Sequence, residues 1–242
     1  MVGARNAANA ANRLIDREID ARNPRTSSRH LPLKLVSLQE VWLICIFGFA
    51  LLILAAWQLN PLCLFLSPLA IIILVGYSYT KRFTWMTHLV LGLAVGIAPT
   101  ASWLAVRASF ALAPVVLTLI VALWVAGFDI IYAAQDADFD RREKLHAIPA
   151  RFGVKKALEI SAFLHLLSFF LLLSLPAFFP RDAIRFNPIF YLGVILTGAL
   201  LFFEHWLVSP CNLTRIKTAS YHINEIVSIL VLTVTILGTG SP

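Results

Sequence analysis

From about residue 37 onward the chain alternates long apolar runs with short polar loops, whereas roughly its first 34 residues are polar and rich in Asn, Arg and Asp. A membrane-spanning helix takes about 20 consecutive apolar residues. Seven stretches meet that length, at about 37 to 57, 61 to 79, 87 to 105, 110 to 128, 157 to 178, 188 to 208 and 221 to 238. The pattern predicts an all-α, polytopic transmembrane helical bundle, with residues 1–242 forming one domain. The polar start has a helical period of its own, because Asn12, Asp16 and Asp20 recur every four residues.

Composition agrees: 59% hydrophobic against 14% charged residues is too apolar for a soluble domain. Cys45, Cys63 and Cys211 have no CxxC spacing, so neither a disulfide framework nor a zinc site is expected. The polar start lacks an apolar h-region, so no cleavable signal peptide is expected.

The net charge of +7 follows the membrane. Arg13, Arg17, Arg22, Arg25, Arg29 and Lys34 precede the first full span, and the loops near 80 to 86, 137 to 156 and 209 to 220 hold ten more Lys or Arg. The alternate loops hold Arg107, Arg181 and Arg185. Sixteen against three is the positive-inside pattern. It places the basic loops in the cytoplasm of a multi-pass protein of a bacterial-type inner membrane, and removes the need for a nucleic-acid partner. Nothing in the pattern specifies an oligomer.

Eight of the thirteen acidic residues fall in two segments, both on the cytoplasmic side: Asp16, Glu18, Asp20 and Asp129, Asp136, Asp138, Asp140, Glu143. On a helix Asn12, Asp16 and Asp20 fan over about 80° of one face, and Asp129, Asp136 and Asp140 fall within about 40° of one another, with Tyr132 on the flank. Asp138 points the opposite way. Carboxylates so placed repel one another, at a cost that grows near lipid, so something cationic must offset them. Mg²⁺ suits carboxylate oxygens with a phosphate partner. The competing reading is simple pairing with Arg17, Arg22, Arg141 and Arg142 in solvated loops. Tyr77-Ser78-Tyr79-Thr80-Lys81-Arg82, at the end of the second full span, offers a Lys and an Arg for phosphate oxygens or, equally, a snorkelling anchor.

These residues resemble the motifs of the UbiA superfamily of intramembrane prenyltransferases. Asn12-Arg13-Leu14-Ile15-Asp16-Arg17-Glu18-Ile19-Asp20 matches N-D-x-x-D-x-x-x-D except at the second position, where Arg13 replaces Asp. Asp129, Tyr132, Asp136 and Asp140 match D-x-x-Y-x-x-x-D-x-x-x-D in full, and Tyr77 with Lys81 matches Y-x-x-x-K. Pro24-Arg25-Thr26 with Arg29, Leu31 and Pro32 resembles the segment after the first motif, with His30 where Pro is common. The N-R-x-x-D form, with Phe128 to Tyr132 and Arg151-Phe152-Gly153, looks most like the bacterial 4-hydroxybenzoate polyprenyltransferase-like branch, which includes members of the futalosine route to menaquinone. Family members carry nine spans, so the first span and part of the second are expected to be absent here.

The resemblance implies Mg²⁺-dependent transfer of a polyprenyl group from its diphosphate to the ring of an aromatic quinone precursor. It implies Asn12, Asp16, Asp20, Asp129, Asp136 and Asp140 as metal ligands, and Asp16, Asp136, Lys81 and Tyr132 as the catalytic set. Asn12, Lys81, Arg82 and Arg141 would bind the diphosphate, and Arg25 or Arg29 the acceptor's carboxylate. Phe47, Trp103 and Phe128 can shield an allylic cation or simply pack. His165 and the Glu204-His205 pair, inside spans, read as helix-to-helix hydrogen-bonding groups or a proton relay. The rival classes are a cation-coupled transporter and an inactive, truncated member of the family.

Overall fold

The computed structural model describes residues 1–179 and 184–240; Arg181 lies outside them. Its helices are α1 (Val2–Arg22), α2 (Leu38–Leu59), α3 (Pro61–Thr80), α4 (Thr87–Gly96), α5 (Ala98–Arg107), α6 (Leu112–Ala133), α7 (Ala137–Arg142), α8 (Ile148–Phe152), α9 (Val154–Ser174), α10 (Pro188–Leu207) and α11 (Asn224–Gly238). Among the described residues seven helical segments are long and apolar enough to cross a membrane, and the protein is an integral, multi-pass membrane protein. The 87–105 stretch forms two helices rather than one, broken at Ile97. Pro99 has no N–H, and its ring clashes with the carbonyl four residues back, so α4 cannot run through it.

The chain divides into two compact units, Met1–Phe83 with Ala101–Phe110, and Thr84–Thr100 with Ala111–Pro242. In the first, α1 lies against α2 and α3 on a face of Ala4, Ala7, Ala8, Ala10 and Ala11, all buried. A Cβ on Gly48 would stand 2.6 Å from the Gly3 carbonyl, so the two backbones approach as closely as small residues permit. The segment after α1 folds back, its Thr26 hydroxyl donating to the Asp20 carbonyl at 2.9 Å. Leu31 and Val36 from that segment pack with Ala10, Ala11, Val41 and Cys45. Ser37 and Glu40 form a capping box that starts α2, and Asn60 caps α3.

In the second unit α6 is central, packed by α4 on one flank and α9 on another. The α9 contact is a polar ladder. Ser161, His165 and Ser168 bond the carbonyls of Gly127, Trp124 and Ile120 at 2.7, 3.1 and 2.9 Å. A carbonyl only accepts, so His165 Nε2 carries a proton. Trp124 Nε1 donates to Asn224 Oδ1 at 2.6 Å, and Asn224 Nδ2 donates to Glu204 Oε1 at 3.2 Å and to the Ala219 carbonyl at 3.1 Å. His165 Nδ1 and His205 Nε2 are 3.0 Å apart. These are helix-to-helix hydrogen bonds in an apolar interior, where each is worth about 0.6–2 kcal/mol. Gly153, at φ +82°, joins α8 to α9 in a backbone conformation that other residues rarely adopt.

Candidate active site

Most of the first motif lies on the packed side of α1: the Asp16 and Asp20 side chains are only 5% and 8% exposed, whereas Arg17 and Glu18 face outward and pair with each other. Asp16 meets α3. Lys81 Nζ lies 2.6 Å from its Oδ2, and Arg82 Nη2 lies 3.2 Å from its Oδ1. Arg82 is held in place by the carbonyls of Ser78 and Ile15. Asn12 Nδ2 donates to Asp16 Oδ2 and to the Ser78 hydroxyl, both at 3.1 Å. Asp20 accepts from Arg29 Nη1 at 2.8 and 2.7 Å, with Arg13 Nη1 at 3.6 Å from its Oδ2. Arg25 is half-buried, its backbone amide donating to Asn23 Oδ1.

Two carboxylates thus face four cations, Lys81, Arg82, Arg29 and Arg13. Arg17, one of the neighbours that the solvated-loop reading offered, pairs instead with Glu18. The surplus positive charge favours an anion, and the five N–H donors of a guanidinium suit a phosphate or a carboxylate.

The second motif departs from the single helix assumed for its spacing. Asp129 and Tyr132 lie on α6, which ends at Ala133; a 3₁₀ turn over Ala134–Asp136 follows, and Asp140 lies on α7. The regular arithmetic that gathered the three acids within 40° therefore fails after Ala133, because a 3₁₀ turn winds at three residues per turn. Asp136 and Asp140 are half-buried. Asp138 points away, as its position on the helix predicts: its side chain is 90% exposed and pairs with Arg141 at 3.0 Å. Arg141, expected at the diphosphate, is itself exposed and bonds Asp138 and the Ala150 carbonyl. Tyr132 packs edge-on against Tyr221, and Phe128 against Trp124. Phe47 is 67% exposed on α2, and Trp103 lies beside Arg107.

Three participants escaped the sequence reading. Ser78 lies inside the quoted Tyr77–Arg82 segment but carried no signal of its own, and Arg13 registered only as a departure from a pattern. His88 had no signal at all; its Nδ1 lies 2.6 Å from Asp129 Oδ2.

Among the described residues no three His, Cys, Asp or Glu side chains converge as a ready-made metal cage. Mg²⁺ does not need one, since it keeps several waters and is held by one or two carboxylates plus substrate phosphates. The donor set fits that mode of binding.

The sequence profile of the UbiA prenyltransferase family matches residues 1–226. This chain belongs to that family. It is 30% identical over 204 residues to the 4-hydroxybenzoate octaprenyltransferase of Vibrio cholerae serotype O1, covering 84% of this chain and 70% of that protein. It is 31% identical over 191 residues to the 4-hydroxybenzoate solanesyltransferase of a Synechocystis species, covering 76% and 57% respectively. The apo structure of a UbiA homolog from Aeropyrum pernix K1 superposes with a TM-score of 0.86 at 32% identity, over 98% of this chain and 86% of that one. A UbiA homolog from Archaeoglobus fulgidus, solved with DMAPP and Mg²⁺, shares the fold with a TM-score of 0.63 at 21% identity, over 93% and 83%. The chain is a membrane prenyltransferase of this helical-bundle family.

Proposed function

We propose that this protein transfers a polyprenyl group from polyprenyl diphosphate to a ring carbon of an aromatic quinone precursor, 4-hydroxybenzoate or a dihydroxynaphthoate, in a Mg²⁺-dependent reaction at the cytoplasmic ends of its spans. The observation that carries the reading is the first motif, where buried Asp16 and Asp20 sit among Lys81, Arg82, Arg29 and Arg13. That arrangement suits a polyanion that brings its own metal. The reading is further supported by the 4-hydroxybenzoate prenyltransferases among the relatives and by the fold relative solved with DMAPP and Mg²⁺.

In this reading Asn12, through its amide oxygen, with Asp16 and Asp20 holds metal in the first motif, and Asp129, Asp136 and Asp140 do so in the second. Bound there, Mg²⁺ supplies Lewis-acid neutralisation of the diphosphate leaving group. Lys81 and Arg82 move from Asp16 onto phosphate oxygens and take up charge as the allylic C–O bond breaks. Arg29, held by Asp20, or Arg25 forks onto the acceptor carboxylate. Tyr132 presents its ring to the allylic cation. The lipid-embedded bundle keeps water from capturing that cation, so the aromatic ring forms the new C–C bond and gives up its proton. A transporter would be expected to place its ionisable groups near the bilayer midplane, whereas these motifs sit at helix ends.

The test incubates the full chain, reconstituted in sealed lipid vesicles, with radiolabelled polyprenyl diphosphate and each acceptor in turn. Labelled prenyl-aromatic product that requires Mg²⁺ and is lost in Asp16→Ala and Asp136→Ala is the expected result. Turnover that survives both substitutions rules out the proposed chelation, and labelled flux without product points to transport.

A further inference from the structure

His88 lies in the first turn of α4, 4% exposed, with Nδ1 2.6 Å from Asp129 Oδ2. An ionised carboxylate only accepts, so Nδ1 carries a proton, and Nε2 is buried and without a partner among the described residues. The imidazole is therefore committed to one contact through one nitrogen.

The packing behind it is rigid. One turn along α4, Gly92 approaches the Ala122 carbonyl of α6 so closely that a Cβ there would overlap it, and Gly96 is nearly as close to Ala122. Trp85 and Leu89, flanking His88 in sequence, pack into the apolar cluster of Leu123, Ala126 and Ile130. With α4 and α6 locked at this distance, a buried ring on α4 has little freedom to leave the carboxylate. Asp129 is the one acid of the second motif still on the regular part of α6; Asp136 lies in the 3₁₀ turn and Asp140 beyond it. It is thus the acid whose orientation the helix packing can fix.

We propose that His88 is a positioning residue for Asp129: its Nδ1–H holds Oδ2 and fixes the orientation in which the carboxylate would meet the metal. This rests on the reading of Asp129 as a metal ligand. Partners that orient a metal-binding carboxylate in this way commonly set metal affinity by about 10–100-fold. A histidine that is merely packed would affect folding but not metal affinity.

The experiment titrates Mn²⁺ into the full chain in nanodiscs with a fixed amount of geranyl thiodiphosphate, an analogue that resists ionisation. Protein-bound Mn²⁺ is read by water-proton relaxation enhancement, and turnover at saturating metal is measured in parallel. His88→Ala and His88→Leu are expected to raise the Mn²⁺ dissociation constant about 10–100-fold, with a smaller loss of turnover at saturating Mn²⁺. His88→Asn places an amide N–H near the Nδ1 position and is expected to recover most of the affinity. If His88→Ala does not fold, the comparison passes to the Asn and Leu variants, and equal dissociation constants for those two overturn the proposal. So does native-like affinity in the Ala and Leu variants while Asp129→Ala loses Mn²⁺; the histidine then only packs. Native-like affinity in Asp129→Ala removes the metal reading of Asp129 and the proposal with it.

Discussion

Lys81→Met separates the bond that one ammonium makes to Asp16 from the role proposed for it at the diphosphate. Methionine keeps most of the length of the side chain and removes its charge. In the metal-free protein the change deletes the 2.6 Å bond to Asp16, whose side chain is 5% exposed and retains Arg82 at 3.2 Å and Asn12 at 3.1 Å. A hydrogen bond to a charged group contributes about 1.5–3 kcal/mol. Because Lys81 is itself 27% exposed and Asp16 keeps two partners, the lower part of that range applies, about 1.5–2 kcal/mol of lost stability. The effect on the reaction is larger. Loss of one group that stabilises developing charge typically costs about 10²–10³ in kcat, some 2.7–4 kcal/mol. The assay pairs denaturant unfolding of the metal-free protein with turnover of radiolabelled polyprenyl diphosphate at saturating Mg²⁺. A kcat within threefold of native, together with the stability loss, refutes the transfer of Lys81 onto the diphosphate and leaves it as a structural partner of Asp16. Lys81→Arg is expected to recover stability more fully than turnover, because a planar fork does not reproduce a compact ammonium.

Two further outcomes follow from the second unit. Asn224→Leu removes the acceptor of Trp124 Nε1 and a donor to Glu204, which is fully buried, and should destabilise by about 2–3 kcal/mol in denaturant unfolding; a loss below 0.5 kcal/mol would mean that the network contributes little. Gly153→Ala meets no steric neighbour, so its expected cost of about 1–2 kcal/mol comes from the positive φ alone; unchanged unfolding would show that the α8–α9 junction relaxes.

The spans were legible because their signal is local: an apolar run of sufficient length is a span whatever it packs against. The spacing of Asn12, Asp16 and Asp20 was legible for the same reason, since α1 is one regular helix. The second motif shows where such reasoning stops. Its acids straddle a 3₁₀ turn that no Gly or Pro announces, and a helical wheel drawn through Ala134–Asp136 assumes a geometry the backbone abandons. The break at Ile97 was signalled by Pro99, but a continuous apolar run masked it. Local pairs were legible, since Arg17 and Arg141 meet Glu18 and Asp138, but the partners of Asp16 and Asp129 were not. Lys81 reaches Asp16 across 65 residues, and His88 reaches Asp129 across 41. Each pairing is created by the docking of one helix on another, and nothing in the local sequence encodes it.

Arg13 gains meaning from the same long-range geometry. The family pattern carries an acid at that position, which in this environment would set three carboxylates against Arg29, Lys81 and Arg82. With Arg13 in place, two carboxylates stand against four cations. Arg13 adds little to stability, because its 3.6 Å approach to Asp20 is longer than the two bonds from Arg29 Nη1 and its side chain is 42% exposed. Its effect is on the balance of charge. A site with a positive surplus binds a free divalent cation poorly and an anion well, so under the proposed reading the protein's own side chains carry a larger share of the diphosphate charge than the family pattern alone suggests. Asp20 then serves two ends, as a ligand for the metal that arrives with the substrate and as the anchor that keeps Arg29 extended while the site waits.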